Sequence, residues 1–404
     1  MANKMVNQGK NSEIIQQQNR LLILRLIRER GTVSRVGLAE ITGLKQATIT
    51  NIINELIERD YVKETGLIEG ANGRRVKGLA LNGEKMRILV ARLTTDYYAV
   101  GIYDLLGNCI KAEKKYWKET VSFEEQIKEV RNDLISYRDK QARGKQVIGT
   151  GIALQGNICR DLALLDGAED LESFLTAYYT KELGMDVYVD NTSNMSAYLE
   201  WERLTSSKAE IHTLLCLIIS YSVDCAVICD GKVLHGRNGR AGHFGHVSID
   251  MSGPLCECGN RGCIKNYISV DAVKKRCEEL MPAFQESVLY QKEYNIRDLI
   301  NAYYKKDVLA RAVYNEIAEK IGVILANLIN QFNPEEIILG DEIPNNNEFL
   351  NLVRTYTNRR LPKERAQRVE ITVFSEERKT ENDVGMKGMS LYVINEQLKT
   401  MKLK

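Results

Sequence analysis

Apolar residues recur at helical intervals along the first sixty positions. Ile15, Leu22, Ile23, Leu26 and Ile27 fall on one helical face, and the pattern stops at "RERG", where basic residues and a glycine suit a helix C-terminus. A short helix follows, with Ser34 as its N-cap, Leu38, Ala39 and Ile41 as its apolar positions and Gly43 at its break. Ile49, Ile52, Ile53, Leu56 and Ile57 then mark a further helix whose opposite face, near its start, carries Lys45, Gln46, Thr48, Thr50 and Asn51. In "YVKETGLIEGANGRRVKGLALN" the pattern predicts two short strands around a glycine-rich turn tipped by Arg74 and Arg75.

Beyond position 85 the runs lengthen and become strand-like. "MRILVARL", "YYAVGIYD" and "NCIKAEKKYW" predict a meander, followed by a helix in "FEEQIKEVRNDLISYRDKQ", a buried strand in "VIGTGIAL", a helix in "LESFLTAYYTKEL" and a strand in "DVYVDN". "TLLCLIISYS", "CAVICDGKVLHG", a helix from about 309 to 331 and "EEIILGD" predict a second lobe on a similar scheme, although no sequence repeat is visible. The expected class is α/β, in two lobes behind a small helical head.

Charge sharpens the division. Residues 1–85 hold 14 Lys/Arg against 9 Asp/Glu, which leaves 42 against 45 for the rest of the 404-residue chain, so a net charge of +2 hides a basic head. A basic head suits nucleic acid. Short polar side chains at the start of a helix can reach base edges and phosphates when that end enters the major groove, and a basic wing can follow the backbone. The alternative for the same pattern is a helical protein-interaction domain with a hairpin. No apolar run is long enough to span a bilayer and the N-terminus has no secretory signal, so the expected location is the cytoplasm. Nine cysteines, mostly scattered singly or in apolar runs, read as reduced thiols rather than a disulfide framework.

Residues 241–267, "AGHFGHVSIDMSGPLCECGNRGCIKNY", concentrate two of the four histidines and three of the nine cysteines. His246, Cys256, Cys258 and Cys263, punctuated by Gly259 and Gly262, have the donor set of a tetrahedral Cys3His zinc site. Four protein ligands leave no position for water, which makes the expected zinc structural rather than catalytic.

On these features the chain resembles the ROK family (repressors, open reading frames, sugar kinases), specifically its repressor branch related to xylose and N-acetylglucosamine regulators. The resemblance implies a winged helix-turn-helix at 1–85 and a two-lobed actin-like ATPase fold at 86–404, with lobes of about 86–196 and 197–404. It also implies a homodimer or tetramer bound to a double-stranded DNA operator, and repression of carbohydrate genes controlled by a sugar or sugar derivative in the interlobe cleft. The kinase positions depart from the family pattern. Ala91 in "VARLTTD" stands about where the first phosphate loop has Asp, and residues 220–226, "SYSVDCA", hold no glycine where the second loop is glycine-rich. Aligned through Ala197 to Glu200, Asn191 and Asn194 keep the two asparagines of the catalytic motif while Thr192 takes the general base position, leaving Asp190 a capping or loop residue. A threonine hydroxyl does not accept a proton near neutral pH as a carboxylate does, so no kinase activity is expected.

Of the implied effector residues, Asn191 is kept, whereas His243 and Lys265 replace two acids. Two readings follow: an altered inducer bearing a carboxylate or phosphate, or a drifted site in which Lys265 is a solvated helix residue. Two functional alternatives also stand, a ligand-independent DNA-binding regulator and an active ROK sugar kinase.

Overall fold

The computed structural model of the chain describes residues 2–69, 74–118, 121–155, 170–207, 211–237, 241–362, 364, 369–374 and 383–400. These divide into two units, Met1–Ser207 with Asp383–Lys404, and Lys208–Asn382. The helix that follows Asn191 therefore stays with the first unit, and the end of the chain returns to it.

The head consists of α1 (Ala2–Arg30), β1 (Val33–Ser34), α2 (Arg35–Thr42), α3 (Gln46–Glu58), β2 (Val62–Glu69) and β3 (Arg75–Leu81). Ser34 caps α2 by accepting the Gly37 N–H at 3.0 Å, and Gly43 ends it in the left-handed region at φ +67°. Ile23, Ile27, Leu38, Ile49, Ile53 and Leu56 close the head core at full burial. Ile15, on the same stripe of α1, is exposed, because full burial along the described part of that helix begins only at Arg20. The short β1, unforeseen in the sequence, pairs antiparallel with β3, so the wing is a three-stranded sheet in the order β1-β3-β2. The glycine-rich turn at 70–73 lies outside the described residues.

The expected meander is present as β4 (Met86–Leu93), β5 (Tyr97–Tyr103) and β6 (Cys109–Tyr116), joined in parallel by β7 (Gln146–Leu154) and β8 (Val187–Asn191) in the order β6-β5-β4-β7-β8. α4 (Phe123–Gln141), opened by a reciprocal Ser122–Glu125 capping box, and α5 (Leu171–Leu183) pack on this sheet. α6 (Thr192–Ser207) and the C-terminal helix (Val384–Thr400) pack on each other and on β7. Helices on both faces explain why β4 and β7 read as nearly continuous apolar runs rather than alternating ones.

The second unit repeats this scheme. β9 (Thr213–Ile219), β10 (Val223–Cys229) and β11 (Lys232–Val233) run antiparallel, β12 (Glu336–Asp341) and β13 (Glu370–Val373) join in parallel, and the order is β11-β10-β9-β12-β13. The two sheets thus share one topology without a visible sequence repeat, since burial constrains only which positions are apolar. α7 (Lys265–Ile268), α8 (Val270–Leu280), α9 (Ile296–Tyr304), α10 (Val308–Phe332) and α11 (Asn347–Asn358) complete the unit, with α10 buried along most of its length. No helix among the described residues is long and apolar enough to cross a membrane.

α6 and the C-terminal helix pack tightly at Gly388, where a Cβ would collide with the Met195 carbonyl oxygen. Backbone cannot yield as a side chain does, so Gly388→Ala is expected to destabilise the first unit by about 1–3 kcal/mol. Both tryptophans, Trp117 and Trp201, belong to this unit, so the midpoint of denaturant unfolding followed by tryptophan fluorescence should fall.

Candidate metal centre and nucleic-acid interface

The segment from His243 to Lys265 is built on β10. The Cys225 N–H donates to the Gly242 carbonyl at 2.8 Å, and Gly242, at φ +93°, leaves room for that approach. Phe244–His246 then form a single 3-10 turn that presents His246. Further on, the Cys256 N–H donates to the Asn260 carbonyl at 2.8 Å, the Gly259 N–H to the Cys256 carbonyl at 2.9 Å, and Ser248 bridges to Cys263. Gly262, at φ +64°, sits where any Cβ would strike the Asp250 carbonyl oxygen. The glycines of "CGNRGC" therefore let a tight knuckle turn its cysteines inward.

The four expected ligands meet. One donor atom from each of His246, Cys256, Cys258 and Cys263 lies within 4.8 Å of the others. Tetrahedral zinc with Zn–S near 2.3 Å and Zn–N near 2.0–2.1 Å sets sulfurs about 3.8 Å apart and sulfur and nitrogen about 3.5 Å apart. Cys258 Sγ and Cys263 Sγ are 3.7 Å apart, and Cys256 Sγ and His246 Nδ1 are 3.5 Å apart. Burial, reinforced by the neighbouring Cys258 and Cys256 sulfurs, pushes the Cys263 thiol up to about 12. Three sulfurs and one imidazole this close form a donor set that a divalent cation would hold with its cysteines as thiolates.

The two expected effector residues of this segment, His243 and Lys265, differ in their settings. His243 is exposed at the start of the 3-10 turn. Lys265, the first residue of α7, is ion-paired through Nζ with Glu257, whose carboxyl it holds below the usual range. Asp224 of β10 accepts the Ser222 hydroxyl at 2.8 Å; burial pushes its carboxyl up against the opposing pull of that hydroxyl, His243, His246 and Lys265. Neither Glu257 nor Asp224 was singled out from sequence, although Glu257 lies between two ligand cysteines and Asp224 in the glycine-free segment. In that segment Val223 pairs with Ile219 and the Ser220 N–H donates to the Ser222 carbonyl at 2.9 Å, closing a tight hairpin.

In the first unit Asp190 is buried, and its Oδ1 accepts the Asn191 N–H at 2.6 Å and Asn194 Nδ2 at 2.8 Å. Asn191 Oδ1 accepts the Ser193 N–H at 2.7 Å and so caps α6. Thr192 is buried, with Oγ1 lacking a hydrogen-bond partner among the described residues and its methyl close against Gly385. Ala91 lies fully buried in β4, and the turn after β4 is closed by the Thr94 hydroxyl accepting the Asp96 and Tyr97 N–H groups.

On the head, Lys45, Gln46 and Asn51 are exposed, Thr48 and Thr50 half-buried, and Arg74 and Arg75 exposed at the turn end of the wing hairpin. Lys45 is the N-cap of α3 but gives no side-chain hydrogen bond there, so the first-turn N–H groups of α3 are not capped by it. Sequence reading also missed a buried junction. Arg25 of α1 meets Glu202 of α6 through two hydrogen bonds, at 2.8 and 3.3 Å, and Arg28 NH1 adds a third at 3.3 Å. Asn395 of the C-terminal helix donates to Glu202 at 3.0 Å. Burial works against the charge on Glu202, and the two guanidiniums nevertheless hold its carboxyl below the usual range.

Comparison with known proteins places this architecture among relatives. The ROK family profile matches residues 93–396 and the MarR family profile residues 17–65. The chain is 29% identical over 361 residues to the xylose repressor of Caldicellulosiruptor bescii, covering 87% of this chain and 90% of the relative. It is 26% identical over 347 residues to the DNA-binding transcriptional repressor Mlc of Escherichia coli, covering 83% and 84%. The crystal structure of a ROK family transcriptional regulator, a homologue of E. coli Mlc, superposes with a TM-score of 0.76 at 24% identity, over 95% of this chain and 98% of that one. The ROK hexokinase from Thermus thermophilus superposes at 0.59 and 19% identity, over 77% and 99%.

Proposed function

The chain belongs to the ROK family, and from that premise we propose that it is a cytoplasmic DNA-binding transcriptional regulator, a repressor of carbohydrate-utilisation genes. One observation carries this reading: the resemblance to sugar-responsive repressors spans head and body together, and the head has the helix-turn-helix and wing that such binding needs. Two copies in a homodimer or tetramer present α3 to the half-sites of an operator. Lys45, Gln46, Thr48, Thr50 and Asn51 face the major groove, and Arg74 and Arg75 reach the backbone or minor groove.

A sugar-derived effector controls the binding, with Asn191, His243 and Lys265 as its contacts. Such an effector acts only through a preference for one arrangement of the protein over another. The Lys265–Glu257 ion pair favours a second reading, in which the site has drifted and DNA binding is independent of ligand. Zinc held by His246, Cys256, Cys258 and Cys263 supplies structure, because the four side chains fill its tetrahedron. The chain is not a kinase. Thr192 stands at the general base position, and the segments at the two phosphate-loop positions bond to themselves.

Selection of operator DNA from a random library by the full-length protein tests the reading. A single enriched palindromic motif is expected, and its affinity should fall in the presence of one member of a panel of neutral, acidic and phosphorylated sugars. Enrichment of no motif would refute the proposal, and a motif indifferent to every sugar would select the ligand-independent form. In a coupled assay with Mg-ATP, the same panel is expected to give no turnover above background.

A further inference from the structure

The junction at Glu202 has no counterpart among the assigned DNA, effector or zinc residues. One carboxylate, buried in α6, receives two guanidiniums from α1 and an amide from the C-terminal helix. Gln17 of α1 adds a hydrogen bond to the Lys399 carbonyl at 2.8 Å. Two half-buried cations on one buried anion add little to stability, because the desolvation of the charges offsets much of their attraction, and apolar residues of similar size commonly do as well. Arg28 Nε and NH2 are buried with no hydrogen-bond partner among the described residues, so the charge is not fully matched. What such a junction supplies is direction: a bidentate guanidinium fixes angle and register where an apolar patch tolerates sliding.

α6 makes that direction matter. It begins at Thr192, beside Asn191, and reaches Glu202 ten residues later, about 15 Å along the helix. Its close packing against the C-terminal helix at Gly388, and the bond from Asn395, join the two helices along their length. We propose that Glu202, held by Arg25 and Arg28, is the positioning residue that fixes the DNA-binding head on the body, so that the setting of α6 at Asn191 and Thr192 determines the orientation of the head. This rests on the reading of the protein as a DNA-binding regulator.

The test uses full-length Glu202→Gln, with Arg25→Met as a second variant that leaves Glu202 paired with Arg28. Two readouts are needed. The first is affinity for the selected operator and for the same half-sites moved apart by one, two and five base pairs. Wild type is expected to discriminate native from altered spacing at least about 100-fold, and both variants less than about 10-fold, with affinity for a single half-site kept within about threefold. The second needs no DNA: amide hydrogen exchange in residues 14–30 is expected to quicken at least tenfold in the variants, while that of 213–229 is unchanged. Wild-type spacing discrimination in a folded variant, or unaltered exchange in α1, would overturn the proposal. If Glu202→Gln fails to fold, Arg25→Met alone decides by the same criteria. Should wild type select no DNA, the regulator reading fails, and faster exchange in α1 would still show Glu202 to be the anchor of the head.

Discussion

Cys263→Ser is expected to release zinc and to loosen the second unit while leaving the first intact. Cys263 is fully buried and, beyond its place among the four ligands, its sulfur lies 3.5 Å from the His246 carbonyl. A serine hydroxyl does not ionise near neutral pH and so does not replace the thiolate. Structural zinc contributes about 10–16 kcal/mol of apparent binding energy in small zinc-dependent domains. Here the knuckle is only part of a unit with its own extensive core, so the loss should be smaller, on the order of 3–5 kcal/mol, comparable to other large single-residue effects. Metal content measured by elemental analysis should drop from one zinc per chain to near none, and the circular-dichroism melt should acquire an early transition. The tryptophan transition should stay in place, because both tryptophans lie in the first unit. Cys229→Ser, at an exposed thiol outside the centre, should keep full zinc. Retention of stoichiometric zinc by Cys263→Ser would mean that the cluster is not the metal site.

The second large effect concerns DNA. Gln46→Ala combined with Asn51→Ala should weaken operator binding by about 100-fold or more, since each well-placed base contact contributes about 1–3 kcal/mol of discrimination. Binding to random duplex should change little. Lys45→Ala should instead weaken both, and lower the slope of log affinity against log salt by about one. All three side chains are exposed, so melting temperatures should move little. Fluorescence anisotropy over a salt series separates the two behaviours. Equal loss on operator and random DNA in the double variant would fault the assignment of α3 as the reading helix.

What could be read from the sequence was what depends on local pattern. Ser34 and Gly43 bound α2 because capping and a left-handed break are properties of a few consecutive residues. The convergence of His246, Cys256, Cys258 and Cys263 was legible for the same reason: their spacing and glycines lie in one segment, and the knuckle closes through its own backbone. Partners distant in sequence were not legible. Glu202 is one acid among several polar positions of α6, and nothing near it announces Arg25, 177 residues away. The Lys265–Glu257 ion pair spans only eight residues and was still not legible, because no periodicity or motif in the loop between them fixes which side chain Nζ reaches. The return of the C-terminal helix to the first unit was equally hidden, because an amphipathic pattern states that a helix will be covered without stating by what.

That return has a consequence in time. The helix carrying Gly388 and Asn395 leaves the ribosome after the whole second unit, whose 175 residues, Lys208 to Asn382, take roughly 10–35 s to make at about 5–20 residues per second. Until then β7 and α6 lack their cover, and Glu202 lacks its amide. The head is translated first and can meet Glu202 early, whereas its bond from Gln17 to the Lys399 carbonyl is among the last contacts of the first unit to form.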